Sequence, residues 1–156
     1  FPLTIKDEVN DWVDRILADM KAHKDDFPYW VHKGWMSQNT ADFYIKYGGF
    51  KVKKSYAYAA VQAEVKALTP LQYGDLSDIL EGATRGKIRC GIGHGGGSYW
   101  TPRTYNGIDW GLGTEAFAEM TSATMTSPES LATIKKYLPK SYAMYEDMLK
   151  VIANQP

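Results

Sequence analysis

The sequence predicts a mainly α-helical domain with one or two short strands, an α+β chain in which helices dominate. Two observations carry this. Apolar residues recur at three- and four-residue intervals in one stretch after another, each bounded by Pro, Gly, Ser or Thr. Strand-like alternation is confined to a short run, KIRCGIG. At 156 residues the chain fits a single domain, 1–156. Because it begins Phe1-Pro2 rather than with Met, it reads as a fragment or processed piece of something longer.

Ile5, Val9, Val13, Ile16, Leu17 and Met20 predict a first helix over 4–24, with Thr4 as N-cap, Asp7 and Glu8 early, and His23 and Lys24 in the last turn. His23 is expected to interact with the helix end rather than with a metal. Residues 25–50 mix Pro28, Gly34, Gly48 and Gly49 with aromatics and read as loop with short helical turns, His32 being packed among Trp30 and Trp35. A second long helix is predicted over 51–68, stopped by Pro70, and a shorter one from Asp75 to about Ala83. KIRCGIG then reads as a short strand, and residues 95–113 as loop. Thr114 is expected to cap the next helix, Ser127-Pro128-Glu129 opens another, and Pro139 opens the last, with Tyr142, Tyr145, Met148, Leu149 and Ile152 as its buried stripe.

Charge and composition narrow the function classes. Lys plus Arg equal Asp plus Glu at 18 each, so no net field draws nucleic acid or an anionic membrane, and neither is expected as a partner. The Lys51, Lys53, Lys54 run reads as a solvated helix face. No apolar stretch reaches the length of a membrane span. Cys90 is the single cysteine, which excludes a disulfide within the chain and a cysteine-based zinc site, and it reads as a buried structural thiol.

One stretch invites chemistry: GIGHGGGSYW, residues 91–100, sets His94 between glycines, ahead of Tyr99 and Trp100. It is followed by TEAFAEM, which places Glu115 and Glu119 one turn apart on one helix face, Glu115 in the predicted first turn. A carboxylate on a rigid helix near a loop histidine makes a partial metal site, so His94 and Glu115 are candidate ligands. A Gly-rich turn that only permits close packing is the alternative. No H-E-x-x-H, G-x-S-x-G, phosphate-binding loop or dinucleotide fingerprint is present.

The run SYW…TEAFAEMTSATMTSPESLATIKKYLPKSYAMYEDMLKVI resembles the end of the zincin metallopeptidase domain of the anthrax lethal factor type. GDLSDILEGATRGKIRCGIGHGGGSYW resembles the segment that precedes this helix in zincin-like domains at the C-terminal end of phage minor head proteins and of some secreted bacterial toxins. The resemblance covers roughly residues 74–152 and implies the C-terminal half of a zincin-like domain. In that family an H-E-x-x-H helix supplies two zinc histidines and the glutamate that activates water, and a glutamate on a later helix completes the site. By the resemblance Glu115 matches that last ligand, and Glu119 the second acid of the motif, a group that orients its neighbours. Tyr99 and Tyr105 are candidates for the tyrosine that stabilises the oxyanion, and His94 matches the histidine of the phage-associated segment.

This chain departs from the family in lacking the H-E-x-x-H helix. Its place would lie ahead of Phe1, so zinc is expected only with upstream histidines, and the isolated chain is expected to be inactive as a peptidase. The implied partners are a protein or peptide substrate, or capsid or toxin proteins, in a virion-associated or secreted setting. A non-catalytic module that binds protein through its 11 tyrosines and five tryptophans is the rival expectation. A nucleotide-using toxin such as an ADP-ribosyltransferase is represented only by scattered residues.

Overall fold

The structure, a computed structural model, describes residues 1–90 and 104–155, and of residues 104 and 105 the backbone alone. The mostly helical expectation holds: among the described residues there are eight helices and one two-stranded hairpin.

Helix α1, Pro2–Ala22, packs one face against the rest of the fold and leaves the other to solvent. Its start is set by Pro2, whose fixed φ suits the first turn. Phe1, not Thr4, therefore takes the cap position, and its carbonyl accepts from the Ile5 N–H at 3.0 Å. Asp7 and Glu8 consequently lie beyond the first turn. Ile5, Val9, Val13 and Met20 are fully buried, the stripe its periodicity predicts. His23 caps the helix end as expected, its ring Nδ1 3.0 Å from the Asp19 carbonyl oxygen and its face stacked on Tyr29 at 3.8 Å.

Residues 25–50 are more regular than a loop. Asp26 caps α2, Phe27–His32, by accepting from the Tyr29 N–H, and Ser37 caps α3, Gln38–Tyr47, by accepting from the Thr40 N–H. Trp30 is buried and its indole N–H donates to the His23 carbonyl at 2.8 Å. His32 is exposed rather than packed; the two tryptophans meet each other edge to face at 5.4 Å instead.

The second long helix is shorter than its apolar pattern implies: α4 spans Lys54–Lys66. Pro70 opens a helix instead of only closing one. Thr69 and Gln72 form a reciprocal capping box around it, so α5 runs Pro70–Thr84, starting well before Asp75. No strand forms over residues 87–90. The Ile88 N–H donates to the Thr84 hydroxyl at 3.0 Å and the Arg89 N–H to the Gln62 side chain at 2.9 Å, so side chains take the bonds a neighbouring strand would offer. The rest of that expected strand, 91–93, lies outside the described residues.

Strands occur where a loop was expected. β1, Thr104–Tyr105, pairs antiparallel with β2, Ile108–Asp109, across Asn106 and Gly107, at φ 52° and 76°. Both positive values are what a type I′ turn requires. Asp109 then caps α6, Trp110–Thr126, accepting from the Leu112 N–H at 3.0 Å, so this helix begins four residues before Thr114. α7, Pro128–Tyr137, and α8, Pro139–Ala153, start where their caps and prolines predict. The buried stripe of α8 is narrower than expected: Tyr142 and Tyr145 are buried, but Leu149 and Ile152 are 37% and 55% exposed.

One core unites these helices. α1 packs on α4, α5, α6 and α8, while α5 packs on α6 and α7. Leu76, Ile79, Leu80, Leu112, Met120, Ile134 and Leu138 are all but fully enclosed, each such side chain contributing roughly 1.5–3 kcal/mol of transfer free energy. The start of α1 crosses α6 so closely that a Cβ on Gly113 would sit 3.2 Å from Pro2. Beside this crossing, Phe1, Trp110, Phe117, Met148 and Ile152 line an apolar hollow of about 350 Å³.

Candidate active site

Two helices carry the acids. On α5, Asp75 and Asp78 are one turn apart; on α6, Glu115 and Glu119 are likewise one turn apart. The packing of α5 against α6 brings Glu119 within hydrogen-bonding reach of both aspartates. Asp78 is 6% exposed, and Asp75 accepts from the Ser130 hydroxyl of α7 at 2.5 Å. Three helices thus converge on one carboxyl group.

The consequence is a proton held well above the usual carboxyl range. Burial of Glu119, its hydrogen bond to Asp75 and the negative charges of Asp78 and Asp75 together push it up to about 9. At neutral pH Glu119 is an O–H donor beside two aspartates, the arrangement from which a general acid can act.

Glu115 lies on the same helix, partly buried and in the second turn rather than the first, because α6 starts at Trp110. The stabilisation that helix N-termini give carboxylates fades within one turn, so the dipole argument for Glu115 no longer applies. His94 and Tyr99 lie outside the described residues, as does the Tyr105 side chain. Among the described residues, no group of three or more His, Cys, Asp or Glu side chains is placed to hold a metal ion.

Both chain ends that flank residues 91–103 are fixed. On one side Cys90 is buried, its thiol pushed up by burial against the opposing effects of the Ser77 hydroxyl and Lys66. Among the described residues the buried Ser77 hydroxyl beside that thiol has no hydrogen-bond partner within normal distance. On the other side Asp109, 5% exposed, caps α6 and pairs with Lys6 at 3.6 Å.

Residue patterning singles out Glu115 and Glu119 but not Asp75 and Asp78, the partners of Glu119. Asp75 and Asp78 show the same one-turn spacing, yet nothing local joins them to α6. The chain has no match among protein-family models, curated proteins or solved structures.

Proposed function

We propose that this chain supplies the carboxyl side of a hydrolytic site of zincin-like type, in a phage head-associated or secreted toxin protein acting on a protein or peptide. The observation that carries this is the packing of α5 on α6 that sets Glu119 against Asp75 and the buried Asp78, where burial and the two aspartates raise its carboxyl to about 9. In amide hydrolysis, water would add to the carbonyl and pass a proton to Asp75 or Asp78, and Glu119 would give its own proton to the departing amine as the C–N bond breaks. Glu115, one turn away, is the carboxylate that the resemblance matches to zinc. The described residues do not complete a zinc site, so the metal would need histidines from elsewhere.

A second reading, a non-catalytic protein-binding module, draws on the exposure of Phe43, Ile45 and Tyr47 on α3. A fluorogenic peptide library assayed across pH on a form of the protein that also carries those histidines, with zinc content measured by elemental mass spectrometry, separates the two. The hydrolytic reading expects cleavage that Glu119→Gln abolishes and whose rate falls as pH rises through about 9. It also expects less zinc bound by Glu115→Gln. Absence of cleavage with and without added zinc would sink it and leave the binding module.

A further inference from the structure

A total charge of zero conceals two unlike regions. From Phe27 to Tyr58 there are five lysines and one acid, Asp42, which leaves 13 basic against 17 acidic residues in the rest of the chain, out of 18 of each. Lys33, Lys46, Lys51, Lys53 and Lys54 are all exposed. Asp26, which caps α2, and Asp14, 3.9 Å from Lys54, offset part of this charge, and Lys33, Lys46, Lys51 and Lys53 still leave this side net positive, a local field that the sum does not report.

Aromatic rings alternate with these lysines, and they are arranged in two ways. Phe43 and Tyr47, a turn apart on α3, are 54% and 66% exposed with ring centroids 4.9 Å apart. α3 turns little inward, burying Ala41 alone. Beside it is a hollow of about 200 Å³ lined by Trp30, Trp35, Thr40, Tyr44 and Phe50, with Tyr56. Trp30 is buried, and the planes of Trp35, Phe50 and Tyr56 stand at 80°, 86° and 89° to it. This volume is below that of pockets for drug-sized ligands and suits one planar ring. Each of Trp35, Tyr44, Phe50 and Tyr56 has a lysine within three positions along the chain.

We infer that the α2–α3 face, with the 50–58 segment, binds single-stranded nucleic acid. Phosphates would be met by the lysines, while bases stack on Phe43 and Tyr47 or enter the ring-lined hollow, the combination by which single strands are held without sequence readout. A cationic ligand is disfavoured by the lysines. A duplex offers the phosphates but hides its bases, so stacking predicts a preference for single strands. An anionic membrane is the competing partner, since Ile45 is also exposed.

Fluorescence anisotropy of labelled 20-mer oligothymidylate and oligouridylate against a duplex of equal length, with sedimentation on phosphatidylglycerol vesicles, tests this on the whole chain. Expected is binding of one or both single strands at least 10-fold tighter than duplex. Phe43→Ala combined with Tyr47→Ala should weaken it at least 10-fold while leaving the circular dichroism unchanged, both rings being mostly exposed. Lys51→Gln with Lys53→Gln should lower the log–log salt slope by about 1.4, at roughly 0.7 per phosphate contact on a single strand. Equal affinity for duplex, indifference to the aromatic pair, binding to vesicles alone, or no binding to any probe would each overturn the inference.

Discussion

Glu119 couples stability to pH in a direction opposite to most acids. Unfolded, it titrates near 4.3 or so; folded, it holds its proton up to about 9. Between these values the folded state binds the extra proton, so its contribution is complete below the lower value and is lost as pH rises through the upper. Glu119→Gln keeps a hydrogen-bond donor that cannot ionise. Urea unfolding should show this variant more stable than the wild type at about pH 8, on the order of 1 kcal/mol after discounting for the solvent-open part of the side chain. Its stability should also vary less between about pH 5 and pH 9, and an unchanged slope would mean that Glu119 is ionised in the fold. Cys90 gives a second residue-level expectation. Its burial raises the thiol and screens the sulfur, so iodoacetamide should label it only at the rate of unfolding. Labelling of the native protein within minutes would contradict that placement.

At the scale of elements, two helix starts depend on residues distant in sequence or in unusual backbone conformations. Leu138, at the N-cap of α8, supplies no side-chain cap, and Glu8 of α1 takes its place, its two oxygens accepting from the Lys140 and Ser141 N–H groups at 2.8 and 2.9 Å. A carboxylate there also meets the positive end of the helix. Glu8→Ala should cost about 1–3 kcal/mol in chemical denaturation, more than a neutral surface change, because two donors, that of Ser141 buried, lose their acceptor. Gly107→Val places a β-branched residue at φ 76° and should cost about 1–2 kcal/mol, with faster amide exchange at Leu112 as Asp109 loses its hold.

What could be read in advance follows from how local each signal is. Ser127-Pro128-Glu129 and Pro139 announce their helices because a cap acts within a turn of itself. Two equally local signals compete with stronger ones: Thr69-Pro-Leu-Gln is a capping box behind a proline that also signals the end of the preceding helix, and Asn106-Gly107 is a hairpin turn inside a stretch rich in Gly, Pro and Asn. The site was less accessible. Glu115 and Glu119 stand out by spacing, but the proton on Glu119 depends on Asp75 and Asp78, which only the packing of α5 on α6 supplies.

For the whole molecule, stability is unevenly shared. α1, α4, α5 and α6 each bury several apolar side chains, whereas α2 buries Trp30 and α3 buries Ala41. Native-state hydrogen exchange should therefore find α3 opening at lower free energy than α1 or α5, with Trp30→Ala lowering it further by about 3–5 kcal/mol in total stability. Simultaneous exchange of α3 and α1 in the wild type would show a single cooperative unit instead. Within the face proposed to meet nucleic acid, α3 with Phe43 and Tyr47 is thus the least firmly held part, which suits a surface that must adjust to an irregular strand.

The hollow that Phe1 and Ile152 share has a topological consequence. Because both residues line one small space, the beginning and end of the described chain lie side by side on the surface. A short flexible bridge between them would leave the helix order around the core unaltered, and new ends could be opened at the exposed Gly48-Gly49 turn. The same adjacency lets this domain be spliced into a surface loop of another protein without pulling the host's strands or helices apart.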